Sequence, residues 1–121
     1  MIYTDKVMEN FNNPQNMGVV ENANAAYTVG SPECGDIMEM TMRIENDVIE
    51  DIKFRTFGCA AAIASSSMAT QMLKGKSVAD ALKMTNDDVI KALGGLPAQK
   101  IHCSVLAEEA IKGAIENYKK G

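Results

Sequence analysis

The residues able to do chemistry in this 121-residue chain are few: Cys34, Cys59 and Cys103, its only histidine, His102, and carboxylates such as Asp36. Lys100-Ile101-His102-Cys103-Ser104-Val105-Leu106 sets the histidine beside a cysteine at the entrance to the last amphipathic stretch, so two soft or borderline metal ligands share one helix terminus. The first turn of a helix leaves backbone N–H groups unpaired and carries partial positive charge, which biases a cysteine there towards thiolate. Cys103 is therefore a candidate ligand or nucleophile, the alternative being a small buried thiol that only packs. Cys34-Gly35-Asp36 puts a thiol and a carboxylate two residues apart in a turn, and Cys59 stands where a strand gives way to a helix. Loops at one end of a small sheet converge on a site when a rigid scaffold positions them. Three thiolates with His102 or Asp36 as fourth donor would make a four-ligand shell suited to Zn²⁺ or an iron–sulfur cluster, against the alternative of three unrelated core thiols. Lys100 is read either as a group polarising that site or as a solvated loop lysine.

Other chemistries fit less well. A Cys103–His102 nucleophile–base dyad is disfavoured because adjacent residues at a helix start point apart and no third group orients them. Ser65, Ser66 and Ser67 lack the Gly-x-Ser-x-Gly elbow of a nucleophilic serine. Twelve basic against sixteen acidic residues give a net charge of -4 with no basic run, which argues against a nucleic-acid partner. No apolar stretch approaches the ~20 residues of a membrane span, and the opening, with Asp5 and Glu9, lacks the order of a secretory signal. The expected location is cytoplasmic. Three cysteines cannot all pair within one chain and none lies in a CxxC, so metal binding or thiol chemistry remains.

The elements that must position these groups follow from pattern. Thr4-Asp5 is a plausible cap for a short helix with an apolar stripe of Val7, Met8 and Phe11, ending before Pro14. The Asn-rich stretch from Asn12 to Asn24 has no period and reads as loop, followed by a short strand over residues 25–29. Met38, Met40, Met42 and Ile44 alternate with Glu39, Thr41, Arg43 and Glu45, the signature of a strand with one core face. Asn46-Asp47 supplies a turn, and residues 48–57 return as a second strand with Ile52, Phe54 and Thr56 on one side. A helix of small residues runs from Ala60 to about Leu73, and two short helices begin at Ser77-x-x-Asp80 and Thr85-x-x-Asp88, which resemble capping boxes. Gly94-Gly95 closes the second, and Leu96 to Lys100 is expected to cross as an extended segment. In the final helix Val105, Leu106, Ile111, Ala114, Ile115 and Tyr118 form one apolar face. One domain over residues 1–121 is the expectation from length.

Three of these stretches carry a resemblance. Cys34-Gly35-Asp36, Phe57-Gly58-Cys59 followed by residues 62–67, and Lys100 to Glu108 resemble the signatures of the iron–sulfur cluster scaffold family of the IscU/NifU N-terminal type. Tyr3-Thr4-Asp5-Lys6-Val7 and Asn13-Pro14-Gln15-Asn16-Met17-Gly18 resemble that family's opening, so the match runs in order over nearly the whole chain. The resemblance implies an α+β fold with a small three-stranded antiparallel sheet, helices packed on it and a long C-terminal helix. It implies a carrier, not an enzyme: sulfur arrives as persulfide from a cysteine desulfurase, combines with iron and electrons into a labile [2Fe-2S] cluster, and the cluster passes to apo acceptor proteins.

On this reading Cys34, Cys59 and Cys103 are ligands, Asp36 and His102 exchangeable fourth donors, and Cys103 the persulfide acceptor, with Lys100 auxiliary. Zn²⁺ is the alternative occupant and [4Fe-4S] a further product. A ferredoxin, a frataxin-like protein and a homodimer around the cluster complete the implied associations. The carboxylate or imidazole donor explains lability, since either is a weaker partner for cluster iron than thiolate. One departure bears on partners: members served by a dedicated Hsp70-type chaperone carry Leu-Pro-Pro-Val-Lys where this chain has Leu96-Pro97-Ala98-Gln99-Lys100, so that chaperone is not counted among them. The thioredoxin-like domain of longer NifU proteins has no counterpart up to Gly121, and the insertion of the zinc-dependent sulfur-transfer branch is missing. The competing class is a structural zinc module built from the same ligands.

Overall fold

Strand alternation dominates the middle of the chain, and the sheet it builds sets where every other element can go. The computed structural model describes residues 3–31 and 36–120, without the side chains of Ser31, Gln99, His102 and Lys120. Strands β1 (Ala25–Ser31), β2 (Asp36–Glu45) and β3 (Val48–Phe57) form an antiparallel sheet in the order β1-β2-β3. Tyr27 pairs with Met40, and Met40 with Phe54. Met38, Met40 and Met42 are fully buried and Ile44 nearly so, which makes the methionine stripe a core face as its alternation with charged residues implies. Asn46 and Asp47 take left-handed backbone (φ 53° and 60°) in the two-residue β2–β3 turn, as Asn and Asp tolerate there. A register shift at Arg43/Ile44 then brings Ile49 into the core as well as Ile52 and Phe54, so burial along β3 does not follow strict alternation.

Helices cover the methionine face. The C-terminal helix α5 (Ile101–Lys120) packs on β1 and β2, and α2 (Ala60–Leu73) packs on β3 and on α5. Leu106, Ile111, Ala114 and Ile115 are buried at helical spacing, while Val105 and Tyr118 lie at the edge of that stripe. Small residues on α2 permit close approach: Ala61, Ala62, Ala64, Ser65, Ser66 and Ser67 are all fully buried. The short helices α3 (Val78–Lys83) and α4 (Asn86–Ala92) start at the expected caps, with Ser77 accepting from the Asp80 N–H and Thr85 and Asp88 completing a reciprocal capping box. Gly94 and Gly95 terminate α4 with φ of 80° and 112°, a conformation glycine adopts freely. No described helix is long and apolar enough to cross a membrane.

Two local expectations are corrected. Helix α1 (Asp5–Asn12) is capped by Thr4, but of its apolar stripe only Val7 is buried; Met8 and Phe11 are more than a third exposed. Its inner face is completed by Asn10, whose Oδ1 accepts from Ser67 Oγ and Gln71 Nε2, both at 2.7 Å, and whose Nδ2 donates to the Lys6 carbonyl at 2.9 Å. The helix is thus docked by Val7 in the core and by a polar network to α2 that apolar periodicity does not reveal. The approach to α5 is also not wholly extended: Ala98–Lys100 form a 3-10 turn, with the Lys100 N–H on the Pro97 carbonyl at 2.8 Å, because Pro97 fixes φ at -55° and turns the chain.

Candidate functional site

Sheet register assembles the first half of the site. Asp36 begins β2 and Phe57 ends β3, and the pairing of Ile37 with Phe57 sets Asp36 against Gly58 and Cys59 at one end of the sheet. The chain then turns directly into α2, with Cys59 as its N-cap. Cys59 makes no side-chain cap to the helix, although Ser, Thr or Asp at such a position commonly would. Its thiol instead faces Asp36, with Sγ 3.7 Å from Oδ2. The second half comes from α5, whose third residue is Cys103; the Cys59 and Cys103 sulfurs lie 3.2 Å apart.

One ligand atom from each of Asp36, Cys59 and Cys103 lies within 4.8 Å of the others, so a carboxylate and two thiols face one small volume between two helix starts. Cys103 is fully buried, Asp36 is 4% exposed and Cys59 is half-buried. A nearly buried carboxylate is costly unless a partner or a cation compensates it. Two sulfur donors and an oxygen donor suit a thiophilic ion such as iron or zinc. Ala61 and Ala62 pack with Cys103, and Tyr3, Leu96 and Cys59 complete the wall.

Of the other residues singled out in the sequence, Cys34 lies outside the described residues, in the connection between Ser31 and Asp36, two positions that are themselves paired. His102 takes its place in the first turn of α5, and its side chain lies outside the described set. Lys100 ends the 3-10 turn half-buried, and among the described residues it makes no side-chain hydrogen bond or ion pair. Sequence reasoning overlooked Gly58. A Cβ there would stand 2.9 Å from Asp36 Cγ and 3.1 Å from both Asp36 Oδ1 and Ala62 Cβ, so this position has no room for a side chain while Asp36 keeps its place. The signal was present as the glycine immediately before Cys59, but its meaning depends on a strand 22 positions earlier in the chain coming alongside. Tyr3 and Leu96 were likewise missed as wall residues, since nothing local ties them to the cysteines.

Known proteins resemble this chain over nearly its whole length. The model of the NifU-like N terminal domain matches residues 2–121. The chain is 56% identical over 117 residues to "Iron-sulfur cluster assembly scaffold protein IscU 1" of Archaeoglobus fulgidus, covering 97% of this chain and 76% of that protein. It is 52% identical over 118 residues to the scaffold protein IscU of Aquifex aeolicus, covering 96% and 75%. Among solved structures, the N-terminal NifU-like protein of Brucella abortus superposes with a TM-score of 0.78 over 96% of this chain and 93% of that one, at 21% identity, a likeness of fold. A family match over almost every residue, together with such identities over almost the whole chain, shows that this chain belongs to the NifU-like N terminal domain family.

Proposed function

We propose that this chain is a scaffold on which a labile [2Fe-2S] cluster is assembled from iron and persulfide-derived sulfur and from which it passes to apo acceptor proteins. The observation that carries the reading is the buried carboxylate of Asp36 set among the Cys59 and Cys103 thiols between two helix starts. The names of the Archaeoglobus and Aquifex relatives support it. Two thiolates and a carboxylate, joined by Cys34 and with His102 as alternative donor, would hold cluster iron firmly enough for assembly. The oxygen donor, harder than sulfur, exchanges more readily and leaves a point of entry for an acceptor thiol. The cluster is cargo, so the chain acts as a carrier and not as a catalyst with independent turnover. A cysteine desulfurase is the sulfur source on this reading, and a reducing cytoplasm keeps the thiols ready for it.

Anaerobic reconstitution with iron and sulfide tests the proposal. It should give the visible absorption of [2Fe-2S] with equal iron and acid-labile sulfide. Binding of zinc alone, with no uptake of iron and sulfide at any stoichiometry, would favour a structural zinc module and overturn the scaffold reading.

A further inference from the structure

The site holds two thiols closer together than ligation requires, and this bears on how sulfur would be reduced there. Cluster sulfur is sulfide, whereas a persulfide delivers sulfur at a higher oxidation level, so a source of electrons is needed. From the 3.2 Å separation of the Cys59 and Cys103 sulfurs we infer that Cys59 resolves a persulfide carried on Cys103, expelling its outer sulfur as hydrogen sulfide within the site and leaving a Cys59–Cys103 disulfide. The inference rests on the sulfur-acceptor reading proposed above.

The step balances without an outside reagent. The Cys59 sulfur attacks the inner, Cys103-attached sulfur; the bond between Cys103 Sγ and the outer sulfur breaks as the bond between the two Sγ atoms forms. The Cys59 sulfur is oxidised from thiol to disulfide level while the outer sulfur is reduced to sulfide, and the Cys59 thiol proton ends on the departing sulfur. A dithiol reductant, supplying two electrons and two protons, then restores both thiols.

Geometry selects this outcome over simple sulfur exchange. Reacting atoms about 3–3.5 Å apart are in near-attack range, and the sulfurs at 3.2 Å need close by only about 1.1 Å to reach the ~2.05 Å of a disulfide. Exchange at the outer sulfur would instead require the two cysteines to separate far enough to admit a sulfur atom between them. Half-buried Cys59 is already in contact with Cys103. The Cys59 thiol also has Asp36 Oδ2 as a hydrogen-bond partner at 3.7 Å, on hand to hold it in place.

The test is a single sulfur loading of the reduced chain by a cysteine desulfurase and limiting cysteine, anaerobically, with no iron and no external thiol. In the wild type we expect sulfide to appear in step with loss of persulfide, and non-reducing peptide mapping to join Cys59 to Cys103. In Cys59→Ser, checked for native circular dichroism, the chain should stay heavier by one sulfur on Cys103, with a persulfide lifetime about tenfold longer or more. Persulfide equally long-lived in both proteins, or a disulfide that maps to Cys34 instead of Cys59, would overturn the inference even though sulfur had been accepted. A chain that never gains sulfur would overturn the acceptor reading and this inference with it. Sulfide release and disulfide mapping in the wild type decide the matter even if the variant folds poorly.

Discussion

Gly58→Ala is the change that probes the site most sharply without touching a ligand. The added Cβ would lie 2.9 Å from Asp36 Cγ and 3.1 Å from Ala62 Cβ, where ordinary contact begins at 3.4 Å. Ala62 is anchored in the first turn of α2, so relief falls on the Asp36 carboxylate, which must retreat by about 0.5 Å or rotate away from Cys59. Overpacking of this kind costs about 1–3 kcal/mol. Against it stands the loss of backbone freedom in the unfolded chain, worth about 0.4–1 kcal/mol when the native conformation suits alanine. The steric cost wins, and urea unfolding of the metal-free variant should show a net loss of about 1–2 kcal/mol. Because the displaced group is Asp36, the same substitution made in an Asp36→Ala background should be nearly neutral, giving a coupling of about 1 kcal/mol or more in a double-mutant cycle. Additive effects within about 0.3–0.5 kcal/mol would refute the argument that Gly58 exists to admit that carboxylate.

Three further outcomes follow from the same packing. Asp36→Ala should lengthen the lifetime of a reconstituted cluster and slow its delivery to an apo-ferredoxin, since the exchangeable oxygen donor is removed; equal or faster decay with the fold intact would take Asp36 out of the site. Asn10→Ala strands the Ser67 hydroxyl and takes one of three acceptors from Gln71 Nε2, which keeps the Ser67 carbonyl at 3.1 Å, and should cost about 1–3 kcal/mol in urea unfolding, whereas no measurable loss would mean that the polar network contributes little. Gly113→Ala on α5 should destabilise in spite of a helix-propensity gain of about 1 kcal/mol, because the new Cβ would fall 2.3 Å from the Tyr27 ring; a more stable protein would show that the ring yields freely.

Much of this molecule was legible in its sequence because its strongest signals are local. Period-two burial in β2, the Asn46-Asp47 turn, the caps at Ser77 and Thr85 and the apolar face of α5 each need only a few neighbouring residues to be read. The positions of Cys59 and Cys103 at helix starts were legible for the same reason. What escaped depends on partners distant in the chain. Asn10 faces α2 because Ser67 and Gln71, more than fifty residues on, complete its hydrogen bonds. Ile49 is buried because a register shift at Arg43/Ile44 turns it inward. The 3.2 Å meeting of Cys59 and Cys103 arises from the packing of α2 on α5, and spacing along the chain does not encode it. The crowding around Gly58 likewise arises only once β2 lies beside β3.

The central claim, that the chain carries a cluster in order to give it away, is tested most directly by timed transfer. The anaerobically reconstituted chain is mixed with an apo-ferredoxin, the two proteins are separated at intervals, and iron, sulfide and visible spectrum are followed on each. The account predicts that [2Fe-2S] leaves this chain and appears on the ferredoxin at matching rates, with a chelator failing to intercept most of the iron. Formation of no cluster, or a cluster that stays on this chain while the ferredoxin remains apo, would contradict it.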